Sequence, residues 1–514
     1  MVSVTDAIRS LSKKHIEYLE ATYHISNERL IKERRKLMEE GTVFTEPWIE
    51  GSPKYKPGKP FEEMDVEISV KTILKELQNK ELVFPPYEHQ FKSLESFFSR
   101  NKNLVISTGT GSGKTEIFLY SLIGMLAKEA KRGVSNNMRA MRTIVLYPMN
   151  ALVSDQLSRM RKLFGSESGA NTMKEMFGRT IQFGMYTSRT PYHGLYDAKK
   201  NNYKIKPIMD YFVRLKNDNS NLYNELNEKG RIPSKDLIRF SGKNNQKERY
   251  VTQSGDSELY TRQEMLFPNE NGGVPDILIT NYSMLEYMLL RPIEQPFFET
   301  TRNWLKADEK NQLLLVIDEA HLYRGAQGAE VAMLIRRLLN HLGVTKDRVR
   351  FILSSASLGD SKSIKEKGAE FGSNLTGREK DSFEVITGER SSLNTQTELS
   401  NSLGIESLNS KKNSDKEVIL DILEKVNWKF DVNPESKEFA SKLGEKLMNE
   451  TLFRVIYSKI TGNPESLNKL SKSLFPSADA IDSERATLNL LLLASKSTLK
   501  DGEKLLPVRI HLIF

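Results

Sequence analysis

The sequence predicts an α/β fold, a doubly wound parallel sheet with helical additions at both ends of the chain. Between about residues 84 and 360, short apolar runs typical of buried strands alternate with amphipathic helical patterns. A glycine-rich loop follows one of these runs, and a pair of carboxylates follows the most apolar one, Leu313–Ile317. Because such sheets bind ligands at the carboxyl ends of their strands, we expect the loop and the carboxylates to share one site.

The loop at 108–115 has the pattern of a phosphate-binding loop between an apolar run and a helical pattern. Its residues are Thr108, Gly109, Thr110, Gly111, Ser112, Gly113, Lys114 and Thr115. Glycines let the backbone N–H groups point at phosphate oxygens, and the helix N-terminus that follows adds partial positive charge. Lys114 is expected to reach the outer phosphates and Thr115 to bind Mg²⁺. Thr108 stands where the general pattern has glycine.

The carboxylates that follow Leu313–Ile317 supply the second half of a nucleotide-hydrolysing site. Asp318 is expected to hold Mg²⁺ through its water shell, and Glu319 to orient or deprotonate the attacking water. His321 lies close enough in sequence to hydrogen-bond the next sheet-end turn, at Ser355 or Ser357. Its spacing from the carboxylates is not that of a helical zinc motif, which disfavours a zinc site.

Composition and charge restrict the classes of function that the sequence allows. The chain has 514 residues, no cysteine and a formal charge of +9, with a pI near 9.1. Lack of cysteine excludes disulfides, thiolate zinc sites and cysteine nucleophiles within this sequence. The basic excess is modest and favours a nucleic-acid partner only slightly. Without a signal-peptide pattern or a long apolar stretch, we expect a cytoplasmic protein with no membrane contact.

The chain divides by pattern into five parts. Residues 1–60 are expected to form a helical extension and a linker, and 61–395 the nucleotide-binding domain, with an insertion at about 191–272. Residues 396–415 are a second predicted linker. Residues 416–505 are helical by pattern, and 506–514 are expected to begin a further region that is cut short.

Seven motifs occur in an order that resembles superfamily 2 DEAD/DEAH-box helicases. They are Gln90, the loop 108–115, Pro148–Leu152, Thr187–Thr190, Thr280–Asn281, Asp318–His321 and Ser355–Ser357. The resemblance covers about residues 84–360, the first RecA-like domain of that superfamily. Within it, the stretch Thr280–Glu286 and the closing Leu506–Leu512 look like large prokaryotic helicases, some of which belong to phage-defence systems such as Druantia and DISARM.

The resemblance implies roles for individual residues and two ligands, ATP and Mg²⁺. Gln90 would recognise adenine, and Lys114, Thr115, Asp318 and Glu319 would bind and hydrolyse ATP. Contacts with one nucleic-acid strand, with DNA favoured over RNA, would come from Pro148, Asn150, Arg189, Thr280 and Asn281. Ser355 and Ser357 would couple the two sites. Ser357 stands where threonine is more usual, and it retains the hydroxyl.

Such helicases also need a second RecA-like domain with a Gln-x-x-Gly-Arg-x-x-Arg motif, and this sequence contains no such string. An arginine finger from that domain contributes a large factor to phosphoryl transfer. The sequence therefore predicts half of a motor, completed by a missing C-terminal part or a partner chain. Two alternatives stay open: an ATP-binding switch or adaptor that needs a partner for turnover, and a restriction-type translocase subunit.

Overall fold

The structure, a computed structural model, contains two compact units. It describes residues 4–39, 46–109, 111–191, 198–234, 257–266, 273–356, 363–391, 399–412, 414–461, 464–499, 502 and 504–511. One unit comprises Tyr55–Glu389; the other joins Met1–Lys54 to Arg390–Phe514. The sequence placed these boundaries at 60 and 395 instead. Among the described residues, no helix combines the length and the hydrophobicity needed to cross a bilayer.

The strands of the described residues lie in two sheets. In chain order they are β1 (Trp48–Gly51), β2 (Asn103–Ser107), β3 (Thr143–Tyr147), β4 (Phe183–Met185), β5 (Glu258–Leu259), β6 (Ile277–Asn281), β7 (Leu313–Ile317), β8 (Val349–Ser355), β9 (Phe383–Thr387), β10 (Glu465–Ser466) and β11 (Val508–His511). The larger unit holds an eight-stranded sheet in the order β5-β4-β6-β3-β7-β8-β2-β9. All its pairings are parallel, which confirms the predicted fold class.

Helices cover both faces of this sheet. They are Ile68–Asn79, Glu88–Phe98, Lys114–Arg132, Asn150–Met160, Glu167–Phe177, Ala198–Asp218, Ser220–Glu228, Arg262–Leu266, Tyr282–Leu290, Gln295–Ala307, Gly325–Leu342 and Ile364–Thr376. The central strands alternate between two hydrophobic clusters because successive side chains point to opposite faces: Leu314 and Val316 pack on one face, Leu313 and Leu315 on the other. Burial on both faces explains why β7 reads as a continuous apolar run.

The predicted insertion at 191–272 is partly built into the sheet. Two of its described helices, Ala198–Asp218 and Ser220–Glu228, contain 208–215 and 222–226, where the sequence pattern predicts helix, and a third is Arg262–Leu266. Its later part returns to the fold, because β5 pairs with β4 at the edge of the sheet. Residues 192–197, 235–256 and 267–272 lie outside the described residues.

The other unit is a helical assembly with a small antiparallel sheet in the order β10-β1-β11. Its helices are Val4–Thr22, Glu28–Leu37, Ile405–Leu408, Asp415–Lys425, Lys437–Met448, Thr451–Ile460, Leu467–Leu474 and Ala480–Lys496. Two sequence assignments differ here. Residues 48–51, assigned to a linker, form β1, and residues 508–511, assigned to the start of a further region, form β11 and pair with β1. The strand has four residues, of which only Ile49 and Gly51 are buried, and this short pattern explains why β1 was assigned to a linker.

Candidate nucleotide site

The phosphate-binding loop connects β2 to the helix Lys114–Arg132. Gly111 and Gly113 both have φ of 76°, in the left-handed region that glycine adopts without steric cost. A Cβ on Gly113 would stand 2.2 Å from Gln90 Nε2, so a side chain there would displace the Gln90 amide from the loop. The hydroxyls of Thr108 and Ser112 lie 2.6 Å apart and close the loop. Thr110 lies outside the described residues.

Lys114 extends from this loop toward the carboxylates at the end of β7. Its ammonium donates to the backbone oxygen of Thr108 at 3.2 Å and lies 3.8 Å from Glu319 Oε1. The side chain is buried, with 10% of its surface exposed. A lysine ammonium has three donors, so this arrangement leaves capacity for phosphate oxygens. The predicted pair of loop lysine and strand-end carboxylate is therefore brought together at one edge of the sheet.

Asp318 is buried at the end of β7, beside the end of β8. Pairing of Ile317 with Leu353 brings the next residues together, and the Ser354 hydroxyl donates to Asp318 Oδ1. Burial raises the pKa of Asp318, and the neighbouring Glu319 carboxylate adds to the rise, against the Ser354 hydrogen bond and Lys114. A cation would oppose that rise, as expected for a carboxylate arranged to meet a positive ligand.

Glu319 has a backbone conformation that is rare for its residue type. Its φ is 49° and its ψ 42°, in the left-handed region, at the start of the short turn Ala320–Leu322. Such a conformation costs about 1–3 kcal/mol, and strain of this kind concentrates at functional sites. His321 Nδ1 lies 3.3 Å from Glu319 Oε2 and has no hydrogen-bond partner among the described residues. The expected coupling of His321 to Ser355 stays a prediction, and Ser357 lies outside the described residues.

The oxygen donors at this edge fit a Mg²⁺ ion bound together with a nucleotide. Thr115 provides a hydroxyl and Asp318 a carboxylate, the hard ligands that Mg²⁺ prefers. Thr115 Oγ1 accepts from Gln156 Nε2 at 3.1 Å, which fixes the hydroxyl at the first turn of its helix. Gln156 lies on the helix Asn150–Met160, so this contact ties the stretch after β3 to the loop.

The helix Glu88–Phe98 supports the loop from its other side. Gln90 Oε1 accepts from the Tyr87 backbone N–H at 2.8 Å, and its Nε2 donates to Gly113 O at 3.0 Å. His89 Nε2 lies 2.8 Å from Ser112 O. Both polar groups of Gln90 are thus used to position the loop in this structure. The amide keeps a second N–H and a second oxygen lone pair beyond these bonds, and recognition of adenine by Gln90 stays a prediction.

The residues expected to contact a nucleic acid differ in their exposure and in the contacts that they make. Arg189 is exposed in the turn after β4, and Pro148 is half-buried at the end of β3. Asn150 begins a helix, but its side chain is not described. Asn281 Oδ1 caps the helix Tyr282–Leu290 by accepting from Met284 N at 2.7 Å.

Thr280, which was also expected to contact a nucleic acid, makes an internal contact in this structure. Its side chain is fully buried, and its hydroxyl donates to the backbone oxygen of Tyr186 at 2.7 Å. It joins β6 to the end of β4 and is not available to a nucleic acid in this structure. The threonine hydroxyl satisfies a buried carbonyl instead, as buried polar groups generally require.

Four supporting residues were missed by the motif analysis: Tyr55, His89, Gln156 and Ser354. Tyr55 accepts a hydrogen bond from Gly109 N at 3.1 Å, although it lies in a stretch assigned to a linker. Ser354 directly precedes the Ser355–Ser357 motif, and only the register of β7 against β8 shows that it faces Asp318. The contact between Gln156 and Thr115 joins positions 41 residues apart and has no local signal.

With this geometry established, comparison with known proteins defines the class. The family model described as DEAD/DEAH box helicase matches residues 87–186 and 234–365. Those ranges include the loop lysine, the β7 carboxylates and Ser354. These two ranges of the larger unit therefore match a DEAD/DEAH box helicase domain.

Two individual proteins are similar to this chain in sequence. The chain is similar to the Druantia protein DruE of Escherichia coli, at 40% identity over 99% of this chain and 30% of DruE. It is also similar to an uncharacterized ATP-dependent helicase of Methanocaldococcus jannaschii, at 24% identity over 55% of this chain and 27% of that protein. This chain thus spans less than a third of either relative.

Solved structures of helicases resemble this one more weakly. The DUF1998 helicase MrfA bound to DNA is 17% identical, with a TM-score of 0.34, and covers 80% of this chain and 45% of its own. A likeness at that TM-score supports no inference of function, and none is made from it.

Proposed function

We propose that residues 55–389 are the first motor domain of an ATP-dependent nucleic-acid helicase or translocase. One observation carries the proposal: the loop lysine Lys114 and the carboxylate of Glu319 lie 3.8 Å apart at the carboxyl edge of a parallel sheet. Asp318 stands next to Glu319, held by Ser354. Catalysis of phosphoryl transfer consists almost entirely of positioning and electrostatic stabilisation, and these residues supply both.

In the proposed reaction, the loop backbone and Lys114 bind the phosphates of ATP. Mg²⁺, held by Thr115 and through water by Asp318, would neutralise charge that develops on the phosphate oxygens. Glu319 accepts a proton from the attacking water and orients it. Lys114 leaves Glu319 to meet the phosphates, which frees the carboxylate for that role. The strained backbone of Glu319 holds the carboxylate in place before the nucleotide arrives.

Turnover at full rate requires a second domain. This sequence contains no Gln-x-x-Gly-Arg-x-x-Arg string, and the chain spans 30% of DruE. We propose that arginine fingers come from a second RecA-like domain, on the same polypeptide or on a partner chain. An ATP-binding switch or adaptor, and a restriction-type translocase subunit, are the alternatives. Substantial DNA-stimulated ATP turnover by the 514 residues alone would contradict the need for a second domain.

The likeness to DruE supports a role in a Druantia-type system, which the sequence resemblance connects with phage defence. Such a role places the protein in the cytoplasm, where a nucleic-acid substrate would be met. Both statements are proposals about the whole protein and rest on the relative alone.

Arg189 provides the test of nucleic-acid binding. We expect Arg189→Ala to weaken binding of a single-stranded 20-mer uniformly across sequences and to lower the salt dependence by about 1 in the log–log slope. Fluorescence anisotropy at several salt concentrations measures both quantities. Matched DNA and RNA oligonucleotides show which polymer is preferred, with DNA expected to bind more tightly.

Arg29→Ala is the matched control, because Arg29 is 88% exposed and belongs to the other unit. It should leave affinity and slope close to those of the unaltered protein. An Arg189→Ala protein with the same affinity and the same slope would remove Arg189 from the proposed nucleic-acid path.

A further inference from the structure

A second cavity lies at the opposite edge of the large sheet from the nucleotide site. Its volume is about 280 Å³, and it is bounded by residues at the amino ends of the adjacent strands β3, β7, β8 and β2. Arg142 precedes β3, Gln312 precedes β7, and Arg350 is the second residue of β8. From Arg350 to Ser354, which contacts Asp318, the strand spans about 13 Å. The cavity is therefore separate from the phosphate-binding loop.

The charge of the cavity lining is strongly unbalanced. Five of its side chains are cationic: Lys128, Arg132, Arg142, Lys310 and Arg350. Glu129 is the one carboxylate of the lining, and it is already engaged by Arg142, at 2.7 and 2.8 Å, and by the indole N–H of Trp304 at 2.7 Å. Asp308 pairs with Arg132 at 2.6 Å. Lys128 lies 3.8 Å from Glu67, and the exposed Lys310 at the rim interacts electrostatically with Asp308. Among the described residues, Arg350 is the lining cation left without a carboxylate.

Arg350 is the unusual member of this lining. Its guanidinium donates to neutral oxygens only: Asn101 Oδ1 at 2.7 Å, Phe97 O at 2.8 Å and Lys102 O at 2.7 Å. Its Nε is buried and has no hydrogen-bond partner among the described residues. In the part of the chain that the structure describes, Arg350 has no carboxylate within ion-pair distance. Burial and, to a smaller extent, the charge of Arg378 together lower the pKa of Arg350 to about 9.

A buried cation without an anionic partner is costly, and such charges are normally paired. We propose that this cavity binds a small oxyanion, a phosphate- or carboxylate-bearing molecule, as the counterion of Arg350. Arg350 contacts the anion from the floor of the cavity and Lys310 from its rim. The site is independent of the nucleotide chemistry proposed above.

Trp304 provides a direct probe of the cavity, because it lines the cavity and is 2% exposed. The chain has three tryptophans, so replacing Trp48 and Trp428 with phenylalanine leaves Trp304 as the only one. A Lys114→Ala change in the same protein weakens phosphate binding at the loop. Titration with inorganic phosphate, pyrophosphate and citrate, each against sodium chloride at equal ionic strength, is then followed by Trp304 fluorescence.

We expect a saturable change with at least one of the three anions and none with chloride. If phosphate or pyrophosphate gives a response and citrate does not, the cavity binds phosphate groups. If citrate alone gives a response, the cavity binds carboxylate groups. Lys310→Glu should weaken binding about tenfold, since reversal of a charge at the rim repels the ligand. Lys306→Glu, an equal change at an exposed position outside the lining, should leave it unaltered.

Arg350→Met should abolish the response. If that variant does not fold by circular dichroism, Lys310→Glu decides the question alone. The proposal is overturned if the response to all three anions equals that to chloride, or if Lys310→Glu and Lys306→Glu bind the anion equally well.

Discussion

Replacing Glu319 with glutamine is expected to reduce ATP hydrolysis by about 10²–10⁴-fold, the usual contribution of a general base. Glutamine keeps the shape of the side chain but cannot accept a proton from water. The replacement also removes the anion that lies 3.8 Å from Lys114, so ATP binding should be kept or strengthened. Single-turnover hydrolysis of γ-labelled ATP, with protein in excess, detects slow basal turnover and separates it from binding.

Glu299→Gln is the matched control, because Glu299 is exposed on the helix Gln295–Ala307 and lies outside the site. It should hydrolyse ATP at the unaltered rate. Equal hydrolysis by the Glu319→Gln and Glu299→Gln proteins would show that another group activates water. Loss of ATP binding in Glu319→Gln would point to a structural role instead.

The second large effect is expected on the free energy of unfolding. It follows from Asp276, which lies just before the amino end of β6. Its carboxylate pairs with Arg142 at 2.8 Å and with Arg179 at 2.8 and 2.9 Å, and it accepts from Gln182 N at 2.9 Å. These contacts join the segments that precede β3, β4 and β6. Asp276→Asn removes the carboxylate charge that pairs with Arg142 and Arg179, and Arg142 then keeps only Glu129 among its ion pairs in the described residues. We expect it to lower the free energy of unfolding by about 3–5 kcal/mol.

Urea unfolding followed by Trp304 fluorescence, with Trp48 and Trp428 replaced by phenylalanine, reports on the unit that contains Asp276. Asp347→Asn is the control, because Asp347 is 75% exposed in its pair with Arg378. That change should cost less than about 1 kcal/mol. If Asp276→Asn and Asp347→Asn destabilise the protein equally, the buried network does not carry the stability assigned to it.

The pKa of Asp276 predicts that the stability of the protein depends on pH. Burial raises the pKa of Asp276, but the charges of Arg179 and Arg142 and the hydrogen bonds outweigh burial, so its pKa lies below the ordinary value of 3.8. The folded state therefore releases this proton more readily than the unfolded chain does. Stability from Asp276 is complete above the ordinary pKa and is lost as pH falls below it toward the folded value. The Asp276→Asn protein should show a shallower loss of stability over that acid range.

Much of the fold was predictable because strand and helix periodicities differ and alternate along the larger unit. The apolar run at β7 and the loop before Lys114 carried their own local signals, and both proved to lie at one edge of the sheet. The eight-stranded order was not predictable from these patterns. It depends on which strands pair, and pairs such as β2 with β9 join residues about 280 apart in sequence.

The supporting contacts of the site could not be predicted from the sequence, because they too depend on which strands pair. A hydroxyl such as that of Ser354 has no pattern of its own, and its role appears only once parallel register sets it beside Asp318. Thr280 shows the reverse case, since a motif position expected to face a nucleic acid satisfies a buried carbonyl instead. Trp48–Gly51 was hidden because a four-residue strand beside prolines resembles a linker.

The central claim is that the loop at 108–115 binds MgATP through Lys114, and calorimetric titration of MgATP tests it most directly. The account predicts one site in the unaltered protein and binding at least about tenfold weaker in Lys114→Ala, since the lysine meets the outer phosphates. Lys131→Ala, at the exposed end of the same helix, should bind as the unaltered protein does. Equal affinity in the Lys114→Ala and Lys131→Ala proteins would contradict the claim.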